Sequence, residues 1–191
     1  MACTDGIIKN IVSNCTTVKV SGLEPVAYVF SRKDASFVFS ATQNEENTIT
    51  SITLATGKKA YTINAYKKGI NAGHSIVVAD TRPDTYQQWV TFESFESLAE
   101  DVINVTGLND VVVIVETKHK TSTGEGVFLA YGVKGGLWKA EDTLDWNTDA
   151  ASRKIKLQSL GGNEEPYPYW IVFSTDYAST KTLLDGLLTT T

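Results

Sequence analysis

The stretch Asp110-Val111-Val112-Val113-Ile114-Val115-Glu116 places five consecutive apolar, β-branched residues between two acidic ones. β-Branched side chains favour the pleated backbone of a strand. A half-buried strand alternates apolar and polar residues, whereas a strand covered on both faces is apolar at every position. We therefore predict that residues 110–116 form a central strand with apolar packing on each side.

The rest of the chain is also rich in strand-forming residues. It has 191 residues, of which 42% are hydrophobic and 20% charged, a composition typical of a globular protein. A phase slip between Ile49 and Ile52 predicts a β-bulge, and Thr56-Gly57-Lys58-Lys59 predicts a turn that closes a hairpin over residues 48–65. Further strands are predicted at residues 16–21, 26–31, 37–41, 76–79, 86–95, 127–131, 133–139, 155–160 and 169–174.

Two short helices interrupt the strands. Ser97 and Glu100 have capping-box spacing, and Gly107 ends that first helix. The second runs from about Asp176 to Leu187, with Ser174, Thr175 or Asp176 as its N-cap. The residues expected to face the sheets are Leu98, Val102 and Val105 in the first helix, and Ala178, Leu183, Leu184 and Leu187 in the second. Helices this short are marginal alone, so both are expected to pack on the sheets of a single domain, residues 1–191.

Charge and termini exclude several classes of protein. The net charge of −5 argues against a protein that grips nucleic acid through its phosphates. The N-terminus lacks the basic and apolar regions of a secretory signal, and no apolar run approaches the ~20 residues that cross a bilayer. We expect a soluble protein made in the cytoplasm. Cys3 and Cys15 are expected to be reduced thiols, with a disulfide between them as the alternative.

Catalytic motifs are missing from the sequence. The two histidines, His74 and His119, are expected at the surface, His74 in a turn and His119 in a polar loop. Neither a Gly-x-Ser-x-Gly elbow nor a P-loop pattern occurs. The glycines that separate strands are expected to adopt positive φ: Gly124, Gly126, Gly135 and Gly136. We expect no enzyme activity and no cofactor.

One acidic stretch resembles the start of a calcium loop. Asp145, Asn147 and Asp149 have the required spacing, but Ala150 stands where the loop needs Gly and Lys156 where it needs Glu. We favour an acidic turn over residues 142–149 and expect no metal, although ion binding through other partners stays open.

An aromatic group suggests a second class of function. Trp138, Trp146 and the segment Pro166-Tyr167-Pro168-Tyr169-Trp170 contain aromatic rings suited to stacking on sugars. Aromatics beside prolines also pack sheet edges or subunit contacts. The alternative hypothesis is therefore a carbohydrate-binding β-sandwich module.

The order of motifs in the C-terminal half carries a family resemblance. It contains Tyr131-Gly132-x-x-x-Gly136-Leu137, then Glu164-Glu165-Pro166, and then Asp176-Tyr177-x-Ser179-Thr180-Lys181. Over roughly residues 25–188 the chain resembles tail-tube-like and tail-ring virion structural proteins of tailed bacteriophages of Bacteroidetes, including the crAss-like group. The resemblance implies a mainly β fold, a β-sandwich or barrel of the tail-tube type, with one or two short α-helices packed on the sheets.

The same resemblance implies a virion role. Subunits would join edge to edge into a ring, expected to be a hexamer with a dodecamer as the alternative, and viral DNA would pass through transiently without specific binding. The partners would be further copies and other tail or portal-proximal virion proteins, in the virion tail after synthesis in the host cytoplasm, with no membrane. Residues 1–14 are expected to be an N-terminal arm. The expected subunit contacts are Thr56, Gly57, Lys58, His119, Thr121, Gly124, Tyr167 and Trp170. Tail tube and specialised head–tail ring remain alternatives.

Overall fold

The chain is described by a computed structural model that covers residues 20–66, 69–94, 99–144, 147 and 152–189. Within these residues it is mainly β with two short helices, as the sequence predicts. The strands and helices are β1 (Leu23–Ser31), β2 (Ala35–Phe39), β3 (Thr48–Leu54), β4 (Tyr61–Asn64), β5 (Ile70–Val77), β6 (Thr85–Ser94), α1 (Ala99–Thr106), β7 (Asn109–Thr117), β8 (Phe128–Tyr131), β9 (Leu137–Leu144), β10 (Arg153–Gln158), β11 (Trp170–Val172) and α2 (Tyr177–Gly186).

Strand β7 confirms the predicted central strand. Val112 and Ile114 point into one apolar cluster, which we call the first core and which α2 covers. Val111, Val113 and Val115 point into a second cluster, the second core. Successive side chains of a strand face opposite ways, so an unbroken apolar run is needed to fill both cores.

The described strands form one continuous sheet that divides at β7. Strand β1 pairs along one edge of β7, and both β8 and β9 pair along the other. From β8 the sheet continues through β11 and β3 to β2, and these strands pack over the first core. From β9 it continues through β10 and β6 to β5, over the second core. The central strands therefore lie between two outer layers.

The division depends on the glycines of the Tyr131–Leu137 motif. Gly132 and Gly136 both have positive φ, at 80° and 74°. A Cβ on Gly136 would lie 2.2 Å from a carboxylate oxygen of Asp110, and one on Gly132 would lie 2.8 Å from the carbonyl oxygen of Val111. The chain can therefore leave the β7 edge after β8 and return as β9 only with glycine at both positions.

The predicted hairpin over residues 48–65 is wrong. Strand β3 pairs with β2 and β11, and β4 pairs with β1. Residues 55–60 instead cross between layers, and the backbone N–H of Ala60 donates to the carbonyl of Leu187 at 2.7 Å. The residues of a turn do not determine whether the strands before and after it pair with each other, because each of those strands can pair with a strand distant in sequence. The bulge prediction is confirmed, because the register shifts between Val38 and Phe39 opposite Thr50.

Two other strand predictions need correction. Strand β5 begins at Ile70, so His74 lies within a strand and not in a turn, although it is exposed as expected. Strand β9 begins only at Leu137, because residues 132–136 form the break in the sheet. Positive φ is confirmed for Gly124, Gly126 and Gly136 but not for Gly135, whose added Cβ would instead clash with the carbonyl of Asn163.

Helix α2 confirms the second predicted helix. The Asp176 side chain accepts from the backbone N–H of Ser179 at 2.7 Å and caps it. Leu184 and Leu187 are buried in the first core, as predicted, with Leu183 partly buried beside them. Ala178 is exposed, contrary to prediction, and Thr180 is the buried residue of that turn. Helix α1 ends immediately before Gly107, as predicted. The segment 16–19, Ser97 and Leu98 lie outside the described residues, as do the side chains of Glu100 and Val102.

Candidate interaction surfaces

The residues predicted to contact neighbouring subunits lie in three separate parts of the fold. The first group follows β3, the second follows β7, and the third surrounds the start of β11. The first group is wholly exposed, whereas only part of the second and of the third is accessible. Exposed residues are Thr56, Gly57, Lys58 and Thr121; half-buried residues are His119 and Tyr167; buried residues are Gly124 and Trp170.

The turn after β3 projects beside a shallow cavity of about 310 Å³. Lys58 lies 3.5 Å from the Asp34 carboxylate. Lys59 lies over the ring of Tyr61 at 5.3 Å from its centroid. The turn therefore offers an exposed, positively charged surface that is anchored on both sides.

The loop after β7 folds back on its own chain. Gly124 lies so close to the first turn of α2 that an added Cβ would be 2.5 Å from the backbone nitrogen of Tyr177. The Tyr177 hydroxyl donates to Glu116 at 2.8 Å, which raises the pKa of that hydroxyl. Lys120 pairs with the same carboxylate. Gly124 is thus covered within the chain, whereas Thr121 faces outward.

A buried polar cluster holds the break between β8 and β9 in place. Glu165 is fully buried and accepts from the backbone N–H groups of Lys134 and Gly135, each at 2.8 Å. Its other oxygen accepts from the Trp170 indole at 2.9 Å. Gln88, also fully buried, accepts from the backbone N–H of Gly132 at 2.7 Å. These bonds satisfy backbone donors that the break removes from the ladder.

The buried position of Trp170 overturns part of the predicted sugar platform. Its ring packs against Phe39 and Tyr167 at centroid distances of 5.1 and 5.0 Å. A ring that is 2% exposed offers no face to a sugar. The Pro-flanked aromatics instead pack the sheet, and Trp146 lies outside the described residues.

A second polar cluster joins α2 to β1. The Tyr28 hydroxyl donates to Asp185 at 2.6 Å, and Lys181 donates to that hydroxyl at 2.5 Å. Burial and the Asp185 carboxylate together raise the pKa of Tyr28 to about 12. Desolvation opposes the charge of Lys181, but its bonds to Asp185 and Tyr28 outweigh it and raise the Lys181 pKa. Neither group can act as a base near neutral pH, so the cluster serves to fix the helix.

The acidic stretch is only partly described. Its members outside the described residues are Asp145, Asp149 and Ala150. Asp142 accepts from two guanidinium nitrogens of Arg153 at 2.6 Å each and from Lys139 at 3.0 Å. Hydrogen bonding to Arg153 outweighs burial and lowers the Asp142 pKa to about 2. These cations occupy its oxygens, and the part of the chain that is described contains no cluster of three metal-ligating side chains.

Three of the described strands end the sheet, and none of them carries a charge: β2, β5 and β4, which pairs only with β1. Neither β2 nor β5 contains Asp, Glu, Lys, Arg or Pro, and no described strand pairs with the free edge of either. Val38 in β2 is 56% exposed, Ile76 in β5 is 54% exposed, and Val78 just after β5 is 71% exposed. Exposed edges are usually protected by charges or proline. We call these two surfaces the β2 edge and the β5 edge.

Sequence reasoning missed most of the β5 edge because Gly73 and His74 resemble a turn. The available signal was the uncharged run from Ile70 to Val77, in which Ile70, Ala72, His74 and Ile76 alternate with small or polar residues. A run of this length without charge is typical of a strand that pairs.

A third surface is the side of β5, β6, β10 and β9 that faces away from the second core, which we call the outer face. In register across these strands lie Gly73, Trp89, Gln158 and Trp138. The Trp89 ring crosses over Gly73, where an added Cβ would lie 2.6 Å from it. Both tryptophans are half-buried. Sequence reasoning singled out Trp138 but placed Trp89 only within the predicted strand 86–95.

Comparison with known proteins gives no relative. No family model, curated protein or solved structure matches the chain. None of the helices in the described residues is long and apolar enough to span a membrane.

Proposed function

We propose that this chain is a non-enzymatic virion structural protein that assembles edge to edge into a ring of a phage tail tube or of the head–tail region, around the path of ejected DNA. The observation that carries the proposal is the β2 edge and the β5 edge, two uncharged strands with exposed apolar residues at two of the three ends of one sheet. The motif order of residues 131–188 supports the virion assignment.

Two different edges favour a ring over a dimer. Pairing of the β2 edge with the β5 edge of another copy is a head-to-tail contact, which generates a ring when the rotation between copies closes and an open filament when it does not. In a ring every subunit pairs both its β2 edge and its β5 edge, whereas a head-to-tail dimer leaves one of each uncovered.

The strength of one edge contact is modest. Strand β2 has five residues. Each backbone hydrogen bond contributes about 1 kcal/mol net, and each half-exposed Val or Ile side chain that becomes buried adds roughly 1 kcal/mol. Association costs at least about 4 kcal/mol in lost rigid-body freedom. Ring closure and added loop contacts are therefore required, and the exposed turn at Thr56, Gly57 and Lys58 is the first candidate to supply them.

Lysine substitutions at the edges test the proposal. Val38→Lys and Ile76→Lys each place a charge on an edge at a position that is already more than half exposed, so the fold should survive. We expect rings or tubes of the wild-type 20.8 kDa chain by mass photometry and negative-stain microscopy, and monomers for both variants.

The matched control is Ile103→Lys, because Ile103 is 70% exposed but lies on α1, away from both edges. It should assemble as the wild type does, and all variants should keep the wild-type midpoint of urea unfolding. A wild-type chain that stays monomeric at high concentration and alongside its virion partners would overturn the proposal. Assembly of the edge variants would show that other surfaces join the subunits.

A further inference from the structure

We infer that the outer face is a binding site for a neutral oligosaccharide. The inference does not depend on ring assembly. Although β5 belongs to both surfaces, the groove lies on the side-chain face of the strands and not along the hydrogen-bonding edge of β5. It rests on a groove in this face, on the balanced charges along the groove, and on the two tryptophans beside it.

The groove has a volume of about 320 Å³ and crosses all four strands. This volume lies at the lower end of the range of small-ligand sites. Its floor includes the in-register row Asn71, Thr91, Lys156 and Glu141, which is adjacent to the row that holds the tryptophans. The described residues that line it are Gly69, Asn71, Thr91, Phe92, Glu93, Glu141, Lys154, Ile155 and Lys156.

The charges along the groove cancel. Lys156 lies 3.0 Å from Glu141, and Lys154 is the register partner of Glu93. Two cations matched by two carboxylates attract neither an anion nor a cation. Ammonium, carboxylate, amide and hydroxyl groups together supply both donors and acceptors. This combination suits a ligand that is rich in hydroxyl groups and carries no net charge.

The two tryptophans supply aromatic surfaces on which the apolar face of a sugar can stack, in addition to the hydrogen bonds of the groove. A pyranose ring has an apolar face of C–H groups that stacks on an aromatic ring. Trp89 and Trp138 lie on strands separated by β10 alone, so their backbones are roughly 10 Å apart. Gln158 lies between them, and its amide can both donate and accept. The Trp89 ring extends over Gly73 of β5, on the side away from Trp138, so the two rings of this row can stack on two different sugars of one extended chain.

The main rival ligand for paired tryptophans is a single-stranded nucleic acid, whose bases also stack on aromatic rings. Such a ligand needs an excess of cations along its backbone. The lysines of this groove are matched by carboxylates, so the sugar is favoured. The site differs from the platform predicted from sequence, because Trp170 is buried in the first core and Trp89 takes its place beside Trp138.

Fluorine NMR of the 5-fluorotryptophan-labelled full chain tests the site without any destabilising change. The chain has four tryptophans, assigned by single Trp→Phe variants. Titration with cellohexaose, mannohexaose, maltohexaose and chitohexaose should shift the Trp89 and Trp138 signals for at least one sugar and leave Trp170 unmoved. A thymidine oligonucleotide is titrated alongside. Shifts with the oligonucleotide alone, or no shift of Trp89 and Trp138 with any hexasaccharide, would overturn the inference.

Variants then measure the contribution of each ring. By calorimetry with the sugar that binds, Trp89→Ala and Gln158→Ala should weaken affinity about tenfold or more, as expected for the loss of a stacking or hydrogen-bonding contact. Tyr61→Ala is the matched control, because it removes a 60% exposed aromatic ring on β4, outside the outer face. Equal affinity of all three variants would refute the site. Mass photometry of the same samples separates this result from a failure to form rings.

Discussion

Replacing Glu165 with Gln tests the buried cluster that holds the break between β8 and β9. Glu165 is fully buried, and its two oxygens accept from three N–H donors: those of Lys134, Gly135 and the Trp170 indole. Gln has the same shape but only one acceptor oxygen. Its amide oxygen can retain the two backbone donors, and its NH2 group must then face the indole N–H.

The cost follows from the groups left without partners. A buried donor without an acceptor costs about 1–3 kcal/mol. In Glu165→Gln the indole N–H and one amide N–H are left without an acceptor, so we expect a loss of roughly 2–6 kcal/mol in the free energy of unfolding. Glu165→Ala leaves three donors without an acceptor and also creates a cavity. The unpaired donors alone should lower the free energy of unfolding by roughly 3–9 kcal/mol. Typical domains have only about 5–15 kcal/mol in total, so this variant should fold poorly or not at all.

A double-mutant cycle measured by urea unfolding isolates the contact. Trp170→Phe removes the indole donor at the cost of some packing. In the double variant the Gln NH2 group no longer faces another donor. The sum of the two single-variant losses of stability should therefore exceed the loss in the double variant by about 1–2 kcal/mol. Additivity within about 0.5 kcal/mol would refute the assigned hydrogen bond. Unchanged stability of Glu165→Gln would refute the cluster's role in the fold.

Two further predictions concern acid stability and the loop after β7. The pKa of the Asp142 carboxylate is lowered from 3.8 to about 2, so its pairing with Arg153 stabilises the fold above about pH 4 and this stabilisation is lost as the pH falls towards 2. In a plot of the urea-unfolding midpoint against pH, Asp142→Asn should flatten the slope between about pH 4 and pH 2. An unchanged slope would contradict the pairing. Gly124→Ala should lower stability more than Gly126→Ala does, as measured by thermal unfolding. Both residues have positive φ, at 85° and 73°, which costs alanine roughly 1–2 kcal/mol. Only Gly124 also lies against the backbone of Tyr177, where an added Cβ would clash. Equal losses would show that the loop does not pack on α2.

The strand content was predictable because it depends on local patterns. The run from Val111 to Val115 could be buried only between two apolar layers, and the structure confirms it. The bulge near Thr50 and a cap for α2 within residues 174–176 also follow from local spacing, and the structure selects Asp176 from the three candidates. Pairing over long distances did not follow, because a turn such as Gly57-Lys58 fits either a hairpin or a crossing between layers.

The candidate surfaces were less predictable than the fold. Trp170 was predicted as a subunit contact and as part of the alternative sugar platform, yet Glu165 and Phe39 hold it inside. The outer-face row joins Trp89 to Trp138, which are 49 residues apart, through Gln158 on a third strand. No sequence period links such positions. They become neighbours only when the strand register is fixed.

The sequence by itself determined the β-rich class, the central strand, the second helix and the positive φ of Gly136, because each depends on the chemistry of a short segment. Only the tertiary structure decided which strands end the sheet, which aromatic rings are buried, and which polar residues line the groove. The physical reason is the division of the sheet after Tyr131. It directs β8 to one core and β9 to the other, and so it sets the neighbours of every later strand.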